Sequence, residues 1–142
     1  MAHFEFIEGG ISQSVWNEGS GKGNLLKGAT AIFKGTVRAD NIENKTVVGI
    51  EFTAHKEIAS ETVSNIAHGL MQKHDLYRID IYHSFGFVKV GEDCFVVIVE
   101  SKHRKNSFKA LPEIVNEFKE LVPVFGKELY EDGSYEWKKN KG

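Results

Sequence analysis

Cys94-Phe95-Val96-Val97-Ile98-Val99-Glu100-Ser101-Lys102-His103-Arg104 passes from an unbroken apolar, β-branched run into a basic turn. The run shows no polar alternation, so it reads as a central strand. From about His103 the period becomes helical. Phe108, Leu111, Val115, Phe118 and Val122 form an apolar stripe, widened by Ile114 and Leu121. Pro112 removes one backbone donor inside that helix, and Pro123 ends it. Val124 to Glu131 then reads as extended, Asp132-Gly133 as a hairpin turn and Tyr135 to Trp137 as the returning strand. Residues 138–142 read as a frayed tail.

Upstream, Phe4 and Phe6 alternate with polar neighbours, as in a short strand. Ile11 to Trp16 is a short helix or a loop, and Asn17 to Gly23 is a Gly-rich loop. Gly28 to Arg38 reads as a strand with Ala29, Ala31 and Phe33 on one face. Asp40 to Lys45 is a polar loop. Val48, Ile50 and Phe52 alternate in a half-buried strand. Ile58, Thr62, Ile66 and Leu70, with Ala59, Val63, Ala67 and Met71, keep helical spacing. Ile79, Ile81 and His83 then form one strand, and Phe87 to Val90 a shorter one after Gly86. The order is strands, helix, strands, helix, hairpin, within a single domain spanning 1–142. That predicts an α+β fold, with a mixed or antiparallel sheet, two main helices and a C-terminal hairpin.

Composition narrows the function. The chain has 142 residues, 41% hydrophobic and 27% charged, with a formal net charge of -2. Such a balance argues against a general nucleic-acid binder, while local basic clusters can still hold small anions. The single cysteine, Cys94, allows no internal disulfide and lies in an apolar run, where it reads as core. The N-terminus lacks the basic start and apolar stretch of a signal peptide, and no run approaches the ~18 apolar residues of a membrane helix. The expected location is the cytoplasm. His55, His68, His74 and His83 show no metal-ligand spacing, so no metal is expected. Phosphate-loop, dinucleotide and nucleophile-elbow motifs are absent.

Basic residues gather in the last third. Lys119 falls on the border of the second helix's stripe, where its ammonium either snorkels at a core edge or reaches a partly dry pocket. Arg104 opens that helix, and a helix N-terminus with a guanidinium can hold a phosphate or carboxylate. His103 beside it can donate to the same anion or move a proton near neutral pH. The other reading of this turn is a solvated Lys-His-Arg-Lys surface. Arg38 at a strand end joins the site only if that end lies near His103. Lys127 is either a site lysine or the surface partner of Glu128 or Glu131.

Gly28-Ala29-Thr30-Ala31-Ile32-Phe33-Lys34-Gly35-Thr36-Val37-Arg38, Gly49-Ile50-Glu51-Phe52-Thr53-Ala54-His55, Ser101-Lys102-His103-Arg104, and Lys119 followed by Pro123 and Lys127-Glu128-Leu129-Tyr130-Glu131-Asp132-Gly133 resemble one family. It is the large, catalytic subunit of molybdopterin synthase, and the likeness runs from about Phe4 to Trp137. The resemblance implies an α/β hammerhead fold and a homodimer. Each protomer would bind a small ubiquitin-like sulfur-carrier subunit, making a heterotetramer. The carrier's Gly-Gly tail would enter as a thiocarboxylate, and sulfur would pass to cyclic pyranopterin monophosphate (precursor Z) to form the molybdopterin dithiolene. No cofactor is implied.

Carried over by position, Lys119 matches the lysine that meets the carrier's terminal carbonyl. Arg38 with Thr36 and Val37, and the pair His103-Arg104, match substrate-binding positions that would hold the pterin's phosphate and other polar groups, within one protomer or across the dimer interface. Gly126, Lys127 and Glu128 match the segment after the proline. That segment departs from the family pattern, aromatic-Lys-Lys/Arg-Glu, because Gly126 stands where the first lysine is expected. Neighbouring side chains on a strand face opposite ways, so Lys127 is expected to serve as the second catalytic lysine through a bulge at Gly126 that re-aims it into the pocket.

Overall fold

The computed structural model describes residues 1–17 and 24–138. Its strands are β1 (Ala2–Glu8), β2 (Ala29–Thr36), β3 (Asn41–Ile42), β4 (Lys45–Ala54), β5 (Leu76–Lys89), β6 (Asp93–Ser101), β7 (Val124–Tyr130) and β8 (Tyr135–Trp137). Its helices are α1 (Gln13–Asn17), α2 (Lys56–His74) and α3 (Arg104–Leu121). One sheet runs β2-β6-β5-β4-β7-β8, with β1 added to β5 and β3 to β4. Among the described residues only the β1–β5 pairing is parallel, so the sheet is mixed, one of the two expected forms.

The unbroken apolar run is β6, and residues 95–101 are all buried. Phe95, Val97 and Val99 pack with Ala59, Val63, Ile66, Ala67 and Leu70 of α2 and with Ala110, Ile114 and Phe118 of α3. On the reverse face Val96 and Ile98 meet Ile11, Trp16 and Tyr82, so α1 covers that side. Two covered faces explain why β6 shows no alternation. Glu100, 2% exposed, is held there by Lys27 at 3.0 Å. Glu113 of α3 clasps α2 by accepting from Lys73 and from His74 Nε2, the latter at 2.6 Å.

Four expectations need correction. The two strands expected around Gly86 are one strand, β5. Gly86 adopts φ +83, which bends the backbone without ending it. Before the bend β5 pairs with β1 and β6; beyond it, with β4. In β4 the register shifts between Val47 and Gly49, leaving Val48 as the extra residue of a bulge. Val47 therefore turns inward beside Ile50 and Phe52, while Val48 is exposed. The polar loop at 40–45 contains the small strand β3, joined to β4 through Glu43 and Asn44, both at positive φ as in a type I′ turn.

The helical stripes are also narrower than hydrophobicity alone suggested. Ile58 and Phe108 are exposed, as is Leu121. On α3 the buried line starts at Ser107, one residue round from Phe108, because the Ser107 hydroxyl bonds the Ser101 hydroxyl beneath it. Pro112 sits inside a continuous α3, which ends as expected before Pro123. No helix among the described residues is long and apolar enough to cross a membrane.

Candidate active site

The central strand separates the basic residues into two groups. At its C-terminal end Ser101 donates a 2.6 Å hydrogen bond to the His103 carbonyl, which fixes the turn into α3. His103 is the N-cap, in extended conformation without a side-chain cap bond, and Arg104 opens the helix. Both side chains are exposed. The helix N-terminus beside them favours an anion, with the Asn106 N–H already bonded to the His103 carbonyl.

Arg38 lies at the other end. β2 is antiparallel to β6, with Ala29 opposite Ser101 and Thr36 opposite Asp93. Thr36 Oγ1 donates to Asp93 at 2.7 Å, and Val37 exchanges backbone bonds with Glu92 and Gly91. Val37 is buried and its N–H is committed, so it shapes the wall and positions Arg38. The Arg38 guanidinium is well exposed and pairs with Asp40 at 3.2 Å. At ~3.3 Å per residue, β6 holds the Arg38 and His103 ends roughly 26 Å apart. The condition that Arg38 lie near His103 therefore fails within one protomer.

α3 returns along β6 and brings Lys119 to the Arg38 end. Phe118, immediately before it, lies 4.6 Å from Phe95 and stacks at 5.4 Å on His83, ring centroid to ring centroid. Phe52 closes the other side of His83 edge-on at 5.0 Å. His83 Nδ1 is 2.8 Å from the Ser84 carbonyl, so the neutral ring donates there. Burial lowers the His83 pKa to about 4, against that hydrogen bond, and the Lys119 and Lys138 charges push the same way as burial. The half-buried Cys94 thiol, 3.5 Å from the Gly35 carbonyl, is raised by burial, while Lys138 and Lys119 oppose the rise. Lys119 itself is exposed, in the last turn of α3, where the helix dipole favours a cation.

The β7–β8 hairpin completes this end. Its register is regular: Thr53 faces Phe125, Phe52 faces Gly126, Glu51 faces Lys127 and Ile50 faces Glu128. The bulge expected at Gly126 is absent. Lys127 therefore keeps the face opposite to Gly126, paired with Glu51 at 3.7 Å and lying over the Tyr135 and Trp137 rings at 4.5 and 5.7 Å. A Cβ at Gly126 would point to Ile50 and Phe52, 3.1 and 3.2 Å away, on the side of His83. Glu128 is half-buried on that same face. Lys138, expected in the frayed tail, is held to the hairpin, since its N–H donates to the Gly126 carbonyl at 2.7 Å; residues 139–142 lie outside the described residues.

The family model described as MoaE protein matches residues 14–121. This chain belongs to the MoaE family. The molybdopterin synthase catalytic subunit 1 of Aedes aegypti is 42% identical over 117 residues, covering 80% of this chain and 75% of that protein. The human molybdopterin synthase catalytic subunit is 36% identical over 116 residues, 82% of this chain and 61% of that protein. The chain thus spans less than two thirds of the human relative. A molybdopterin synthase from Staphylococcus aureus superposes with a TM-score of 0.85 at 25% identity, covering 96% of each chain. A complex of subunits 1 and 2 of molybdopterin-converting factor from Helicobacter pylori shares the fold, with a TM-score of 0.77 at 21% identity over 98% of this chain and 92% of that one.

Within this MoaE fold, the sequence reading missed His83 and Lys138. His83 ran in line with Ile79 and Ile81, but its aromatic cage comes from β4, β6 and α3. Lys138 was assigned to the tail. The hairpin turn gives its position: with Lys127 opposite Trp137, the next pair is Gly126 and Lys138. A concavity of about 500 Å³ between the start of β1 and α2, lined by Met1, Ser64, His68 and Met71 among others, has no lysine or arginine in its lining and is separate from this cluster.

Proposed function

We propose that the protein is the sulfur-transferring catalytic subunit of molybdopterin synthase, acting in the cytoplasm. It takes sulfur from the thiocarboxylated C-terminus of a small ubiquitin-like carrier and delivers it to precursor Z. The observation that carries this reading is Lys119, in a chain of the MoaE family, presented at the mouth of the aromatic cage formed by Phe52, His83, Phe95 and Phe118. A cation there balances the thiocarboxylate and the oxyanion that develops at the terminal carbonyl as sulfur leaves. The apolar cage beneath it lowers the local dielectric and strengthens that interaction. No cofactor enters this scheme.

Arg38, together with His103 and Arg104, holds the phosphate and polar groups of the pterin. The separation of these groups along β6 supports a homodimer. In a two-fold assembly the exposed His103-Arg104 turn of one protomer can complete the Arg38–Lys119 end of the other. With one carrier on each protomer the assembly is a heterotetramer. Thr36 and Val37 set the position of Arg38, Glu128 lines the hairpin side, and Lys127 braces the outer face of the hairpin.

Purified protein, thiocarboxylated carrier and precursor Z test the reading directly. Molybdopterin should form at micromolar protein. Carrier binding without any product would instead support a non-catalytic binding protein of the same fold, with Gly126 as the change that removed activity.

A further inference from the structure

Gly126 leaves the inner face of β7 without a side chain at the point nearest Phe52 and His83. The adjacent lysine does not fill the gap, because the pleat sends Lys127 to the outer face with Glu51, Tyr135 and Trp137. The residue across the hairpin does lie on the inner face. Leu129 faces Tyr135, Glu128 faces Glu136 and Lys127 faces Trp137. The same register places Lys138 opposite Gly126, and the 2.7 Å bond from the Lys138 N–H to the Gly126 carbonyl holds it there. Directly opposed residues share a face of the sheet. Gly126, Glu128, Glu136 and Lys138 therefore face one way, which the hydrogen bond from the Tyr130 hydroxyl to Glu136 also requires.

We infer that Lys138, reaching in from β8 across Gly126, is the second cation of the site and acts with Lys119 on the anionic end of the carrier tail. This assignment rests on the proposed sulfur-transfer function and names a residue for it. An independent sign of convergence comes from the buried groups below. Lys119 and Lys138 both act on His83, and both act on Cys94. Two ammonium groups from different elements, α3 and the β8 end, thus bear on the same two side chains. A Cβ at 126 would press on Ile50 and Phe52, 3.1 and 3.2 Å away, whereas a lysine at 138 makes no such demand on the Phe52–His83 contact. The arrangement suits a tail that arrives as a thiocarboxylate and leaves as a carboxylate, since both ends are anions. One cation serves each terminal heteroatom.

The test compares wild type, Lys138→Ala and Lys138→Arg by single-turnover sulfur transfer from thiocarboxylated carrier to precursor Z. A second arm measures affinity for full-length carrier ending in a free carboxylate and for the same carrier with an amidated C-terminus. Lys138→Ala should slow transfer about a hundredfold. It should also reduce the preference for the carboxylate end by about tenfold. Lys138→Arg should keep most of both, and the Tm should stay at the wild-type value in each variant. A structural role for Lys138 would shift the Tm and weaken both carriers equally. Transfer rate and carboxylate preference both unchanged in Lys138→Ala would overturn the assignment. If wild type itself yields no molybdopterin, the sulfur-transfer reading fails; the carboxylate preference then decides separately whether Lys138 binds the tail.

Discussion

The two ends of β6 carry the same kind of charge in opposite settings. At the Ser101 end, His103 and Arg104 stand on an exposed turn, fixed through the Ser101 bond to the His103 carbonyl and the buried Ser101–Ser107 hydroxyl pair. At the Asp93 end, Lys119 and Lys138 lie over a caged, neutral histidine and a half-buried thiol. The first end can select an anion and hold it. The second can also stabilise charge that appears during a reaction, because low-polarity walls strengthen each interaction there. On the proposed function, a phosphorylated pterin and a peptide tail need both ends.

The largest effect should come from the second end. Lys119→Ala should lower single-turnover sulfur transfer about 100- to 1,000-fold while carrier affinity, measured by calorimetry, stays close to wild type. Near-normal turnover would remove Lys119 from the chemistry and erase the contrast between the ends.

A mixed dimer asks whether the ends meet across an interface. Lys119→Ala and Arg104→Ala homodimers should both be impaired. A purified heterodimer of the two keeps one intact pocket if Lys119 and Arg104 come from different protomers, so it should recover about half of wild-type turnover. If both residues serve the same pocket from one protomer, no recovery will be seen.

His83 links the second end to acid stability. Its folded pKa, about 4, lies below the ordinary value of 6.5. Above pH 6.5 the ring is neutral folded or unfolded and contributes no slope. Between pH 6.5 and about 4 only the unfolded chain takes up the proton, so stability falls by about 1.4 kcal/mol per pH unit from this group. Urea titrations over that range should show a shallower acid loss in His83→Phe. An unchanged slope would mean that the ring is hydrated and the cage open.

The smallest effect is expected on the outer face of the hairpin. Lys127→Ala removes a half-exposed ion pair with Glu51 and should cost less than about 1 kcal/mol in denaturant unfolding, with sulfur transfer unaffected. A marked fall in transfer at unchanged stability would return Lys127 to the pocket and reverse the assignment of the two faces.

The elements were largely legible because their signals are local. Unbroken burial in β6, helical spacing in α2 and α3, and the Asp132-Gly133 turn all lie within short windows. Errors arose where the deciding partner is distant. Phe108 yields the buried line to Ser107 because of Ser101 below it. Val48 was placed inward because a bulge is invisible to alternation. The separation of Arg38 from His103 was not legible, because the antiparallel pairing of β2 with β6 is not written in either strand. Lys119 was found from its place on the stripe and from family resemblance. His83 was passed over because three separate segments, β4, β6 and α3, make its cage. Lys138 was within reach of sequence reading, since counting back from the turn places it across from Gly126.

Gly86, directly across Phe52 from Gly126, joins the two parts of the sheet that carry these charges. β5 works as a lever with its fulcrum at Gly86: α3 and Lys119 ride with the arm paired to β6, and the hairpin with Lys138 hangs from β4 on the other. A side chain at 86 meets a positive φ as well as the Glu8 carboxylate; the exposed Glu8 can swing aside, so the remaining strain falls on the backbone angle between the arms. The gap between the two ammonium groups is then a mechanical dimension of the backbone, and it can be retuned without altering either lysine.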